Sequence, residues 1–326
     1  MKKRLFAALL AAVMLLALAS CGAAVPQETP APIAEPTAEP TPEPTLEPTP
    51  EPTPEPTPEP TPEPAPEELA LREAERLLFE DLDLEGAARL AEENLESGYA
   101  PLQSFYAYLL YWGFGARENE AESYKIYSLA ADQGDLLGIY GQVVAYDNGA
   151  GVRKDTAKAK ELEEGLADKL IAAAAETDDP YLQSRLLYAA GIILMRSESQ
   201  EEVQTAVDCF EQSAALGNHQ AAGKAADLYY GLYSNIKSPV HDMGKALAYY
   251  EQAAVFPSKY VGSDAAFMAG HMYYVGFSSE PDYEKAVEYL TLAKSYNHPN
   301  ANQLLSKAQQ ALKKQQAEAA AENGEG

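Results

Sequence analysis

Tyr146-Asp147-Asn148-Gly149-Ala150-Gly151-Val152-Arg153-Lys154-Asp155-Thr156-Ala157-Lys158-Ala159 is the stretch from which the fold is read. Its two glycines tolerate positive φ, so they end one helix and turn the chain. Asp155 then stands where an N-cap belongs, able to accept hydrogen bonds from orphan amides at a gain of about 1 kcal/mol. A helix, a turn and a second helix follow from these fourteen residues.

The same pattern recurs along the chain. Its closing half, Asp-x-x-Lys-Ala, returns as Asp242-Met243-Gly244-Lys245-Ala246 and as Asp282-Tyr283-Glu284-Lys285-Ala286. Looser copies begin at Asn119 and Glu202, so the starts at 119, 155, 202, 242 and 282 are separated by 36, 47, 40 and 40 residues. Periods of this length mark stacked helical hairpins. At a fixed offset comes a ring and then small residues: Tyr127 before Ala130-Ala131, Phe210 before Ser213-Ala214, Tyr250 before Ala253-Ala254. A ring can fill the gap that alanine leaves between close helices. Gly113 and Gly115 repeat the turn, while Gly134 and Gly217 stand where second helices should end. The first helices share a register too, since 265–276 aligns without a gap on 221–232.

Small residues, Tyr-x-x-Gly, Gly-x-Gly-Val, Asp-x-x-Lys-Ala, aromatics and Ala-Ala together resemble the Sel-one-like repeat, a branch of the tetratricopeptide superfamily. The residues that carry the resemblance are Gly149, Gly151, Asp155, Lys158, Ala159, Asp242, Lys245, Ala246, Gly276, Asp282, Lys285 and Ala286. It implies an all-α, right-handed α-solenoid of about five helix-turn-helix repeats over 102–300. The third unit departs from the pattern in having no Gly-x-Gly. Two amphipathic stretches within 67–101 read as N-terminal capping helices. Beyond 301, Leu304, Leu305, Ala308, Ala311 and Leu312 share one helical face, which reads as a C-terminal cap before a polar tail ending at 326.

The segment before the repeats decides location. Lys2, Lys3 and Arg4 precede an uncharged apolar run ending at Leu18, too short for the roughly 20 residues of a stable span. Leu18-Ala19-Ser20-Cys21 resembles the bacterial lipobox, which implies removal of 1–20 and lipidation of Cys21, with the chain tethered outside the cytoplasm. Within 21–66, Thr-Pro-Glu-Pro repeats dominate. Proline at every second position removes amide donors and fixes φ, leaving extended polyproline II, stiffened by like charge. About 45 such residues reach roughly 140 Å at most, a spacer suited to a Gram-positive surface.

Composition narrows the partners. Of 24 basic and 50 acidic residues, three and nine precede Glu67, so the repeat region carries 21 against 41 and a net charge of −20. That excludes sequence-independent nucleic-acid binding and charge-driven docking on anionic lipid, leaving the lipid on Cys21 as the expected membrane contact. Cys209 has no second cysteine to pair with if Cys21 is lipidated, and beside Phe210 it reads as core. His219, His241, His271 and His298 are too dispersed for a zinc site, so neither metal nor cofactor is expected.

No catalytic constellation stands out, and the chain reads as a non-enzyme. Ser234 and Lys237 match Ser-x-x-Lys, but the chain lacks the Ser-Asp-Asn and Lys-Thr-Gly that complete a penicillin-interacting site. The expected function is adhesive. Tyr111, Tyr230 and Tyr274 share one first-helix position, and Tyr108, Asp227 and His271 share the position one turn earlier. On a concave face such residues would grip a protein or peptide; cell-wall glycan is the alternative ligand, and packing between helices the non-functional one. Resemblance to Sel-one-like repeat proteins implies a scaffold or adaptor.

Overall fold

A computed structural model describes residues 64–232, 240–277 and 280–324. The signal segment, Cys21 and the Thr-Pro-Glu-Pro run lie outside these residues, as do Ser234 and Lys237. Among the described residues there are fourteen α-helices and no strand. Helices α1 (Pro66–Phe79) and α2 (Leu84–Glu93) come first. Unit one pairs α3 (Ala100–Trp112) with α4 (Glu120–Asp132), and unit two pairs α5 (Leu136–Asn148) with α6 (Thr156–Glu163) and α7 (Leu166–Glu176). Unit three is α8 (Pro180–Leu194) and α9 (Gln200–Ala215); unit four is α10 (His219–Tyr230) and α11 (Met243–Ala254). Unit five is α12 (Val261–Val275) and α13 (Tyr283–Ser295), and α14 (Ala301–Gly324) closes the series.

Caps fix the register. Asn119, Asp155, Asp242 and Asp282 each accept from the amide three residues on, at 3.2, 3.0, 3.0 and 3.0 Å. The backbone amides of the same four residues donate to Leu110, Tyr146, Tyr229 and Tyr273 carbonyls at 3.0, 2.9, 3.2 and 3.0 Å. Those four carbonyls therefore mark one position in successive first helices. Unit three begins differently: its second helix is capped by Ser199, whose hydroxyl accepts from the Glu202 amide, so Glu202 is the third residue of that helix and not its start. The long interval before it is filled by α7. Gly165, at φ +66°, breaks the second helix of unit two into α6 and α7.

In the Gly-x-Gly turn the two glycines have different tasks. Gly149 caps α5 in the left-handed conformation. Gly151 lies against the preceding unit, where an added Cβ would sit 2.2 Å from the Glu120 carbonyl oxygen. The turn is thus also a contact between neighbours.

A polar clasp joins consecutive units. Tyr229 stacks on Tyr249, and both hydroxyls donate to Glu211 Oε1 of the preceding unit, at 2.7 and 3.1 Å. Lys245 completes it, 2.8 Å from the Tyr229 hydroxyl and 3.1 Å from Glu211. Tyr273, Tyr289, Lys285 and Glu251 repeat the arrangement one unit later. Burial works against the charge on Glu211, but the bonds from Tyr229 and Lys245 outweigh it and hold the carboxyl below its usual range. The lysines of the two later Asp-x-x-Lys-Ala copies are thereby explained as structural residues, whereas Lys158 pairs with Glu161 of its own helix at 3.0 Å.

First helices neighbour one another along the stack, α3 with α5, α5 with α8, and α10 with α12. The stack also curls until distant units meet. Phe256, in the link from α11 to α12, is 3% exposed and packs edge-on to Phe114 of unit one at 5.0 Å. Lys259 and Tyr260 of the same link bind Glu118 at 3.0 and 2.8 Å. Burial of a phenylalanine side chain contributes about 2 kcal/mol, more than the exposed ion pair beside it.

Candidate binding groove

The inner face of the first helices opens into a groove of about 570 Å³. Gln220, Lys224 and Asp227 line it from α10, and Asp264, Ala265 and Met268 from α12. Spacing of four and three residues puts Gln220, Lys224 and Asp227 on one helical face, and Met268 follows Asp264 and Ala265 by four and three. Trp112, Tyr188 and Tyr260 line it from other elements, and the closing link supplies Tyr260. Trp112 and Tyr260 meet edge to face at 5.9 Å. Polar groups here are held in place: Asp227 accepts from the Tyr250 hydroxyl at 2.9 Å and pairs with Lys224 at 3.4 Å. His298 lies 3.6 Å from Asp264 and stacks on Phe267 with ring centroids 4.1 Å apart. Burial lowers the His298 pKa and raises that of Asp264, each opposed by attraction between the two.

Trp112 and Tyr188 also border a smaller cavity of about 50 Å³, where Tyr108, Tyr111, Tyr127 and Tyr140 of units one and two meet Arg185 and Asn218. That is room for roughly three to five waters, or one branched aliphatic side chain. The Tyr108 hydroxyl donates to Gln220 Oε1, linking cavity to groove, and Asn148 donates to the Tyr111 hydroxyl at 3.1 Å. Burial raises the pKa of Tyr108, Tyr127 and Tyr140, so these phenols stay neutral donors.

The six residues singled out from sequence do not come together. Tyr108 and Tyr111 line the cavity and Asp227 lines the groove. Tyr230, His271 and Tyr274 line neither; they pack on neighbouring rings. Tyr230 meets Tyr250 and Phe277, His271 meets Phe267 and Phe277, and Tyr274 meets Tyr283. A shared register position in the first helices therefore does not place these residues in one site. Sequence reasoning missed Lys224 and Met268, although they lie three residues before Asp227 and His271 on the same faces. It missed Tyr188 because unit three had no aligned first helix, and Tyr260 because its place depends on closure. Cys209 is buried, and burial pushes its thiol up to about 11, which leaves it unreactive. Among the described residues no group of His, Cys, Asp and Glu could hold a metal, and no helix is long and apolar enough to cross a membrane.

Capped hairpins stacked in series define an α-solenoid. Segments 100–135, 137–162, 187–218, 221–254 and 263–295 match the Sel1 repeat, and the helical region belongs to that family. Proteins built from Sel1 repeats generally act as scaffolds for protein–protein interaction and are typically non-catalytic. Three solved structures are similar to part of the chain. A Sel1 repeat protein from Oxalobacter formigenes is 21% identical, with 71% of this chain and 86% of that one covered and a TM-score of 0.42. A protective antigen of uropathogenic Escherichia coli with an SLR fold, c5321, is 21% identical over 72% of this chain and 55% of that one, at TM-score 0.36. The immunity protein Pa5087 of Pseudomonas aeruginosa is 17% identical over 72% and 83%, at TM-score 0.39. No curated protein matches the chain in sequence.

Proposed function

We propose that this protein is a lipid-anchored scaffold on the outer side of a bacterial cell membrane, and that its inner groove grips an extended segment of a partner protein. The groove of about 570 Å³, lined by both aromatic and hydrogen-bonding side chains, is the observation that carries this reading. A peptide laid there would set apolar side chains against Trp112, Tyr260 and Met268, and its backbone against Gln220, Lys224 and Asp227. The tyrosine-lined cavity would take one small anchor side chain, since buried anchors supply most interface energy. Anchoring rests on Lys2 to Cys21 and the spacer on the Thr-Pro-Glu-Pro run, both read from sequence.

The test is capture of envelope proteins by the full chain, beside Met268→Glu with Asp264→Lys, and beside Glu202→Lys on a second helix as control. One protein captured by wild type and control, and lost at least tenfold by the groove variant, supports the reading. Equal capture by all three overturns the groove. Sedimentation with purified cell wall and no captured protein overturns the scaffold in favour of glycan binding.

A further inference from the structure

Glu75, on the inner face of α1, is fully buried, and its Oε1 accepts from Arg185 Nη1 of unit three at 2.6 Å. Its Oε2 is also buried and has no hydrogen-bond partner among the described residues. Arg185 reaches on to the Ser104 hydroxyl of α3 at 3.3 Å and lies over the Phe105 ring at 5.0 Å. One guanidinium therefore ties α1, α3 and α8 together beside the cavity.

The charges around this knot do not balance. Around the Glu75–Arg185 pair lie two further carboxylates, Asp135 and Asp179, and one further guanidinium, Arg72, so one negative charge is in excess. Tyr99 at the N-cap of α3, Tyr108 of α3 and Tyr181 of α8 also face the pair, with Glu68, Arg76 and Glu80 at its outer edge. From α2, Ala87, Ala88 and Ala91 join the apolar cluster around α1. Asp135 and Asp179 are helix N-caps: Asp135 accepts from Gly138 at 2.6 Å, Asp179 from Tyr181 and Leu182 at 2.9 and 3.2 Å. Amide donors favour their ionised forms, although at Asp135 burial outweighs them and raises the carboxyl above its usual range. Glu75 Oε2 has no such donor, so it is where one proton would cancel the excess negative charge.

We propose that the Glu75 carboxyl is a proton-operated latch: protonated, it holds α1 on the repeat stack; ionised, it loosens that helix. Burial supports this by pushing the carboxyl up to about 7, even with Arg185 beside it. The folded pKa lies above the unfolded value near 4.5, so the stabilisation is full below that value and is lost as pH rises through 7. His219, His271 and His298, held low by burial, act oppositely: they destabilise as pH falls below about 6.5.

The full chain and its Glu75→Gln variant would be unfolded in urea between pH 5 and 8. Glu75 should lower the wild-type ratio of folded to unfolded chain by up to about a hundredfold over that range. Glu75→Gln should lose that component and keep the histidine slope; identical slopes in both chains overturn the proposal. Amide-exchange protection, corrected for intrinsic rates, should fall with pH in α1 ahead of α12, and a uniform fall overturns the latch. Should the variant not fold, the carboxyl carbon of residue 75 is followed by NMR in the wild-type chain. Titration near 7 is expected, and titration in the ordinary glutamate range overturns the proposal.

Discussion

Tyr229 illustrates how much one residue carries. Its ring is in the core at 4% exposure, while its hydroxyl is the hub between Glu211 and Lys245. Tyr229→Phe keeps the packing and removes only the hub, so it should cost about 1 kcal/mol, read as a lower urea midpoint at unchanged slope. The aromatic character of this position is plain in the sequence as core. Its polar role is not, because Glu211 belongs to another unit and joins the tyrosine only when the units stack.

At the scale of the element, caps and turns should behave independently. Asp242→Ala removes the bond to the Lys245 amide and should cost about 1 kcal/mol. Two glycines with similar φ separate conformation from contact. An added Cβ meets nothing within 4 Å at Gly165, but lies 2.2 Å from the Glu120 carbonyl oxygen at Gly151. Gly165→Ala should therefore cost about 1–2 kcal/mol for the left-handed backbone alone. Gly151→Ala should cost clearly more, because the turn must move away from unit one; thermal denaturation of the two variants side by side checks this. The signature glycine was legible as a helix stop, and its contact with the preceding unit was not.

Across the whole repeat region, nearest-neighbour stacking is not the only source of stability. A solenoid held only by adjacent units would register loss of Phe256 locally. Here Phe256 packs on Phe114 and His219, so Phe256→Ala should cost about 3 kcal/mol and raise amide exchange in α3 as well as α12. Exchange confined to units four and five would show that the closure contributes nothing. The same closure brings Tyr260 beside Trp112 in the lining of the groove.

Sequence by itself determined the repeat. Glycine stops, Asp and Asn caps, and ring-then-alanine spacing are local requirements of single helices and hairpins, and each is met by residues a few positions apart. It also determined the acidic surface, and the buried place of Cys209 beside Phe210 was legible in it. Only the tertiary structure decided the curl, the groove, the Tyr-Lys-Glu clasps and the buried Glu75–Arg185 pair. The clasps need two neighbouring units stacked in register; the others need the whole stack, which brings Glu75 to Arg185 and Glu118 to Lys259 across more than a hundred positions of chain. No local pattern records that stacking.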